Sequence, residues 1–117
     1  PERFYHGFVL GLVVELADRY VITSNRESGF GRYDVILEPR KRQDGSVADD
    51  GIIIEFKVQD DDEKDLADTV REALRQIEEK NYQADLEARG IPAKRIRRYG
   101  FAFCGKRVLI GSSLTSD

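Results

Sequence analysis

Two charged residues interrupt what should be an apolar strand: the run Ile52-Ile53-Ile54-Glu55-Phe56-Lys57-Val58 carries a carboxylate and an ammonium near its end. Side chains two apart on a strand share a face, so Glu55 and Lys57 point together, with α-carbons roughly 6.6 Å apart. Charges in that position are costly unless paired, hydrated or bound to a metal. The preceding apolar run repeats the anomaly, since Asp34 lies between Tyr33 and Val35-Ile36-Leu37. If these strands pair antiparallel across residues 38–51, Asp34 at the start of one meets Glu55 at the end of the other. Two converging carboxylates beside a lysine suit metal-dependent phosphodiester chemistry. Mg²⁺ takes octahedral oxygen ligands, one or two of them carboxylates, with waters and phosphate oxygens. It lowers the pKa of a bound water and offsets charge developing on phosphorus, while a lysine orients that water or stabilises the transition state. Spacing alone favours a plainer reading, a Glu55–Lys57 salt bridge at a sheet edge, because a Glu-x-Lys tripeptide is common.

These residues need a sheet to hold them and helices to cover it. Residues 4–16 read as a helix with a broad apolar face of Phe4, Phe8, Val9, Leu12, Val13 and Leu16. Gly7 and Gly11 weaken a helix by about 1 kcal/mol each against alanine and are expected to admit another backbone or a ligand. Strands are expected over 20–23 and 31–37, separated by the polar run 24–29. The stretch 38–51, with Pro39, Asp44-Gly45 and Asp49-Asp50-Gly51, is expected to be a loop and the most disordered segment. Residues 52–58 suit a central strand buried on both faces. Asp60-Asp61-Asp62 then opens an expected long helix to residue 88, with Leu66, Val70, Ala73, Leu74 and Ile77 at helical spacing and Gly90-Ile91-Pro92 ending it. The three aspartates suit the positive end of a helix dipole; an EF-hand's spacing and glycine are missing. Residues 97–104 and 107–110 form a last pair of strands about Gly105. The order is α-β-β-β-α-β with an extra strand, an α/β domain whose central mixed sheet is flanked by helices.

Composition narrows the class. A chain of 117 residues, 40% hydrophobic and 35% charged, is one domain's worth, with one core and a heavily solvated surface. No stretch approaches the roughly 18 apolar residues of a membrane span, and no signal-peptide pattern opens the chain; a cytoplasmic protein is expected. A single cysteine, Cys104, precludes an internal disulfide or a Cys-rich zinc site and reads as a small core residue. A single histidine, His6, argues against a His-rich zinc site. The net charge of −3 argues against a basic nucleic-acid coat but leaves nucleic-acid chemistry at a metal site open. Gly29 and Gly31 precede a strand and lack a following Gly-Lys-Ser/Thr, so they make no phosphate-binding loop. Methionine is absent, even at position 1, so residues 1–117 are expected to be a single domain excerpted from a longer protein.

A helix, a strand, an Asp-bearing strand, a Glu-Phe-Lys strand and a helix, in that order, resemble the PD-(D/E)XK nuclease superfamily, at Gly31-Arg32-Tyr33-Asp34 and Ile54-Glu55-Phe56-Lys57. The chain is most similar to the prokaryotic branch found C-terminal to AAA-ATPase-like domains. That similarity runs through Phe4-Tyr5-His6-Gly7-Phe8, Ser24-Asn25-Arg26-Glu27-Ser28-Gly29, Ala73-Leu74, Gln76-Ile77, Lys80 with Tyr82, Tyr99-Gly100, Phe103 and Gly105-Lys106.

The resemblance implies a restriction-endonuclease-like core and a nuclease dependent on Mg²⁺ or Mn²⁺, with DNA a better expectation than RNA. Asp34 and Glu55 would be metal ligands, the backbone carbonyl of Phe56 a third, and Lys57 the catalytic lysine. Members often add a Glu or His from the first helix, and Glu2 and His6, four apart, share a face there. Glu15 is a remoter candidate. Some members carry a glutamine followed four residues later by a tyrosine; here Gln76 is followed by Lys80, and Tyr82 falls on another side of a continuous helix. Gln76 and Lys80 are therefore accessory candidates for nucleic acid or metal waters, with an ordinary solvated helix surface the plainer reading for Lys80. Arg26 and Arg32 could hold phosphate oxygens bidentately, or else pair with Glu27 or Glu38. The basic groups at 40–42, 97–98 and 106–107 could contact a nucleic-acid backbone, though scattered over an acidic chain they read better as solvating charge. A homodimer partner or an N-terminal AAA-ATPase-like module is expected to supply grip and targeting, and no membrane is involved. The opposing reading is a non-catalytic module that keeps the fold to bind nucleic acid or protein.

Overall fold

The structure, a computed structural model, describes residues 2–27 and 31–113, with side chains from 7–25 and 31–113. Five strands form one sheet in chain order: β1 (Tyr20–Glu27), β2 (Arg32–Pro39), β3 (Gly51–Val58), β4 (Ile96–Cys104) and β5 (Arg107–Ser113). Every neighbouring pair is antiparallel except β3 and β4, which run parallel. A parallel pair requires a crossover, and the chain supplies it with α2 (Leu66–Lys80), α3 (Tyr82–Ala88) and a single 3₁₀ turn at Ala93–Arg95. The expected mixed sheet and its extra strand are both present, and the first helix, α1, spans Glu2–Leu16.

The two-residue period of the strands sorts the core into two layers. Val35, Leu37, Ile54, Phe56 and Phe103 point to one face, where Phe8 and Val9 of α1 cover them. Phe8 sits 6.2 Å from the Phe56 ring and 5.6 Å from that of Phe103, both edge-on. Ile36, Ile53 and Ile96 point to the opposite face, against Ile77 of α2 and Leu86 of α3. Asp34, Glu55 and Lys57 alternate with the first set, so they lie on the α2 side, under the crossover.

Glycine sets the height of α2 above the sheet. Gly100 of β4 and Gly111 of β5 are register partners. A Cβ on Gly100 would fall 3.1 Å from both Ala73 Cβ and the Val70 carbonyl oxygen, and one on Gly111 only 2.5 Å from Val70 Cγ1. Gly7 and Gly11 do not do this. A Cβ at either meets nothing within 4 Å among the described residues, so no other described part of the chain makes the expected close approach there. Their face of α1 also exposes Leu10 and Val14.

Two further expectations are corrected. The long helix is two helices, and it begins late. Asp65, not the run 60–62, is the N-cap, its side chain accepting from the Asp68 amide at 3.0 Å. Asn81 then ends α2 in the left-handed conformation, with φ of 55°, and the chain restarts in a new direction as α3. The 38–51 loop is tied down rather than disordered. Asp44 takes the amide and hydroxyl of Ser46, Tyr20 donates to the Asp50 carbonyl, and Asp50 meets Arg95 and Arg97. Among the described residues, no helix is long and apolar enough to cross a membrane.

Candidate active site

Asp34 and Glu55 are direct register partners across β2 and β3, and so are Arg32 and Lys57. Side chains of one antiparallel pair project to the same face, which brings both carboxylates together beneath α2. The sheet buries them almost completely, Asp34 at 1% exposure and Glu55 at 0%. Among the described residues, no donor reaches Asp34 Oδ1 or either oxygen of Glu55. Buried carboxylate oxygens without donors are expensive, an expense that a cation would offset.

The remaining oxygen of Asp34 is held from the crossover. Lys80 Nζ and the Tyr82 hydroxyl both donate to Asp34 Oδ2, each at 2.8 Å, and Lys80 Nζ lies 3.9 Å from Glu55 Oε1. Burial, then the neighbouring Asp34 carboxyl, push Glu55 well above the usual carboxylate range. Burial works against Asp34 too, but the adjoining Glu55 carboxyl and the hydrogen bonds from Lys80 and Tyr82 outweigh it and hold Asp34 below that range. The two carboxyls are thus pushed apart, Glu55 up and Asp34 down. Burial, followed by Asp34, raises the Tyr82 hydroxyl to about 12, so it remains a donor at neutral pH.

Lys57 points to the same face but not to the acidic pair. It is wholly buried, and its ammonium lies 2.9 Å from Asp60 Oδ2 and 2.9 and 3.0 Å from the two oxygens of Glu63. Glu63 Oε1 also accepts from the Thr69 hydroxyl at 2.9 Å and the Asp60 amide at 2.8 Å. The plain Glu55–Lys57 salt bridge is therefore not formed, and Asp60 is a partner of Lys57 rather than a helix-dipole carboxylate.

The other candidates divide. Lys80 is no solvated surface lysine but reaches the acidic pair. Gln76, with its amide oxygen toward Arg32, accepts from Arg32 Nη1 at 3.3 Å. Arg32 also lies 3.7 Å from Glu72 Oε1, not near Glu38, which pairs with Arg89. Phe56 turns its ring to the α1 face, so its side chain takes no part on the acidic side. The side chains of Glu2, His6 and Arg26 lie outside the described residues; α1 itself packs through Phe8 and Val9 on the face opposite Asp34 and Glu55. Tyr82, which a continuous helix would turn to another side, reaches Asp34 because the break at Asn81 redirects it. The signal was Asn81 itself, a residue type that tolerates the left-handed region.

Among the described residues, no three His, Cys, Asp or Glu side chains converge into a metal cage. Two carboxylates nevertheless match what Mg²⁺ or Mn²⁺ asks of a protein, since such ions fill their remaining positions with water and substrate oxygens. A protein-family model described as the PD-(D/E)XK nuclease superfamily matches residues 1–113. Comparisons with curated proteins and with solved structures find no match.

Proposed function

Because this chain belongs to the PD-(D/E)XK nuclease superfamily, we propose that it hydrolyses phosphodiester bonds in nucleic acid with Mg²⁺ or Mn²⁺, preferring DNA to RNA. The observation that carries this reading is the facing pair Asp34 and Glu55, buried and with three oxygens lacking donors. Asp34 Oδ1, the Glu55 carboxylate and the Phe56 carbonyl would hold the metal. The bound ion supplies Lewis-acid activation of water and of the phosphodiester.

The chain's own residues do the rest. Tyr82 fixes the Asp34 carboxylate through one oxygen, which turns the other toward the ligand. Glu55, its carboxyl pushed up by burial and by Asp34, would have to ionise to hold a cation. Lys57 would orient the attacking water or offset charge on the phosphate only on leaving Glu63 and Asp60, which engage its ammonium in the metal-free protein. Arg32 with Gln76, Arg26 on β1, and Lys80 would meet substrate phosphates. Grip and targeting would come from a second copy or from an N-terminal AAA-ATPase-like module.

A second reading, a module that keeps the fold to bind nucleic acid or another subunit, is favoured by one observation. The Lys57 ammonium is engaged by Asp60 and Glu63 rather than by the acidic pair. The deciding experiment is cleavage of single- and double-stranded DNA and of RNA in Mg²⁺, Mn²⁺ or EDTA, with wild type beside Lys57→Ala and Asp34→Ala. Metal-dependent cutting lost in both variants supports the nuclease, and unchanged cutting by Lys57→Ala sinks the mechanism. If nothing is cut, thermal stability decides. A metal at about 100 times its Kd should stabilise the fold by roughly 2.7 kcal/mol; no such gain, or one that Asp34→Ala retains, turns the conclusion to the binding module.

A further inference from the structure

A lysine stands where a cation is needed. Two buried carboxylates directly opposite one another repel when both are ionised. Lys80 Nζ meets both of them, at 2.8 Å from Asp34 Oδ2 and 3.9 Å from Glu55 Oε1. Lys57 is nearer in sequence, but Asp60 and Glu63 engage its ammonium. Arg32 is turned to Glu72 and Gln76.

We propose that Lys80 is a built-in counter-cation of the acidic pair, which a divalent metal must displace in order to bind. This rests on the metal-binding reading of Asp34 and Glu55 given above. An ammonium and a divalent ion sharing the same two carboxylates repel each other, so each weakens the other's hold. The lysine has a way out. Its side chain is 21% exposed, its stem is long and flexible, and it lies in the last turn of α2, where the negative end of the helix dipole favours a cation. The exchange has two consequences. The metal-free protein keeps a counter-charge on its buried acidic pair, and metal affinity is set lower than the carboxylates alone would give.

Calorimetric titration of Mn²⁺ into the whole chain tests this without any cleavage. Wild type is compared with Lys80→Met, Lys80→Gln, Lys80→Arg and Asp34→Asn at one pH and low salt, and melting temperatures are taken with and without Mn²⁺. The affinity is read on whichever neutral variant folds without metal. That variant is expected to bind Mn²⁺ at least tenfold more tightly than wild type, to melt lower in EDTA, and to gain more from Mn²⁺. Lys80→Arg, which keeps the charge, should bind within a fewfold of wild type. If wild type binds Mn²⁺ and Asp34→Asn does not, yet the neutral variant binds no more tightly than wild type, the counter-cation is overturned while the metal site stands. If neither wild type nor the neutral variant binds, the metal-site reading falls and takes this proposal with it.

Discussion

Lys57, wholly buried, gives its ammonium to both oxygens of Glu63, at 2.9 and 3.0 Å. The Asp60 partner is half-exposed and so contributes little by comparison. Glu63, itself anchored by Thr69 and the Asp60 amide, is the residue that makes a buried ammonium tolerable here. Removing one partner of a buried pair costs about 3–5 kcal/mol, and the remaining Asp60 places Glu63→Ala near the lower end. Urea denaturation would show the loss, and Lys57→Met combined with Glu63→Leu should recover most of it. A loss under about 1 kcal/mol would show that Asp60 and solvent satisfy Lys57 unaided.

The raised pKa of Glu55 makes the metal-free fold sensitive to alkali. Its carboxyl is pushed from 4.5 up to about 9, by burial and then by Asp34. Between those values the folded state binds a proton that the unfolded state has lost, so stability falls as pH rises across this window. Asp34 shifts the other way, and its contribution is lost only as the pH falls below the ordinary carboxylate range. In EDTA, the stability of wild type relative to Glu55→Gln should decline steadily from about pH 5 to pH 9. Parallel curves for the two proteins would show that Glu55 is not the group titrating across this window.

Asn81 is the one non-glycine residue with positive φ among those described. Asn81→Gly should be neutral or slightly stabilising, whereas Asn81→Val should cost about 1–2 kcal/mol in backbone strain. Thermal melts separate these outcomes. Equal melting temperatures for the two variants would mean that the break between α2 and α3 does not depend on this residue.

Gly111 faces Val70 with no room for a methyl group. Gly111→Ala should therefore destabilise by about 1–3 kcal/mol, as overpacked cores do. Val70→Ala should be less harmful in the Gly111→Ala background than alone. A double-mutant cycle measures that coupling, and strict additivity would contradict the contact.

The carboxylates were legible because a strand's period of two is rigid, so charges set among isoleucines had to share a face, and the hairpin had to oppose them. The sheet was legible for the same reason. The crossover was not. Leu66, Val70, Ala73 and Ile77 do form the expected stripe, but three consecutive aspartates imitated a helix start, while the true cap, Asp65, stood directly before the first apolar residue. Extending the helical period through Asn81 turned Tyr82 away from the site and left Lys80 to solvent; a single left-handed residue reverses the first of these, and tertiary reach the second. The Lys57–Glu63 contact has no sequence period at all, because it depends on how the segment 59–65 folds back over the sheet.

The parallel joint between β3 and β4 leaves the site sewn from two pieces of cloth. Asp34 and Glu55 belong to a meander whose strands pair with their immediate successors, while Lys80 and Tyr82 ride on a crossover docked chiefly through one helix face and two glycines. Native proteins open piecewise, and the piece with fewer buried contacts opens first. The carboxylates should therefore stay opposed through fluctuations that carry the lysine and the tyrosine away. Amide exchange in α3 would then run ahead of exchange in β2 and β3, and the acidic half of the site would be the part of it that persists.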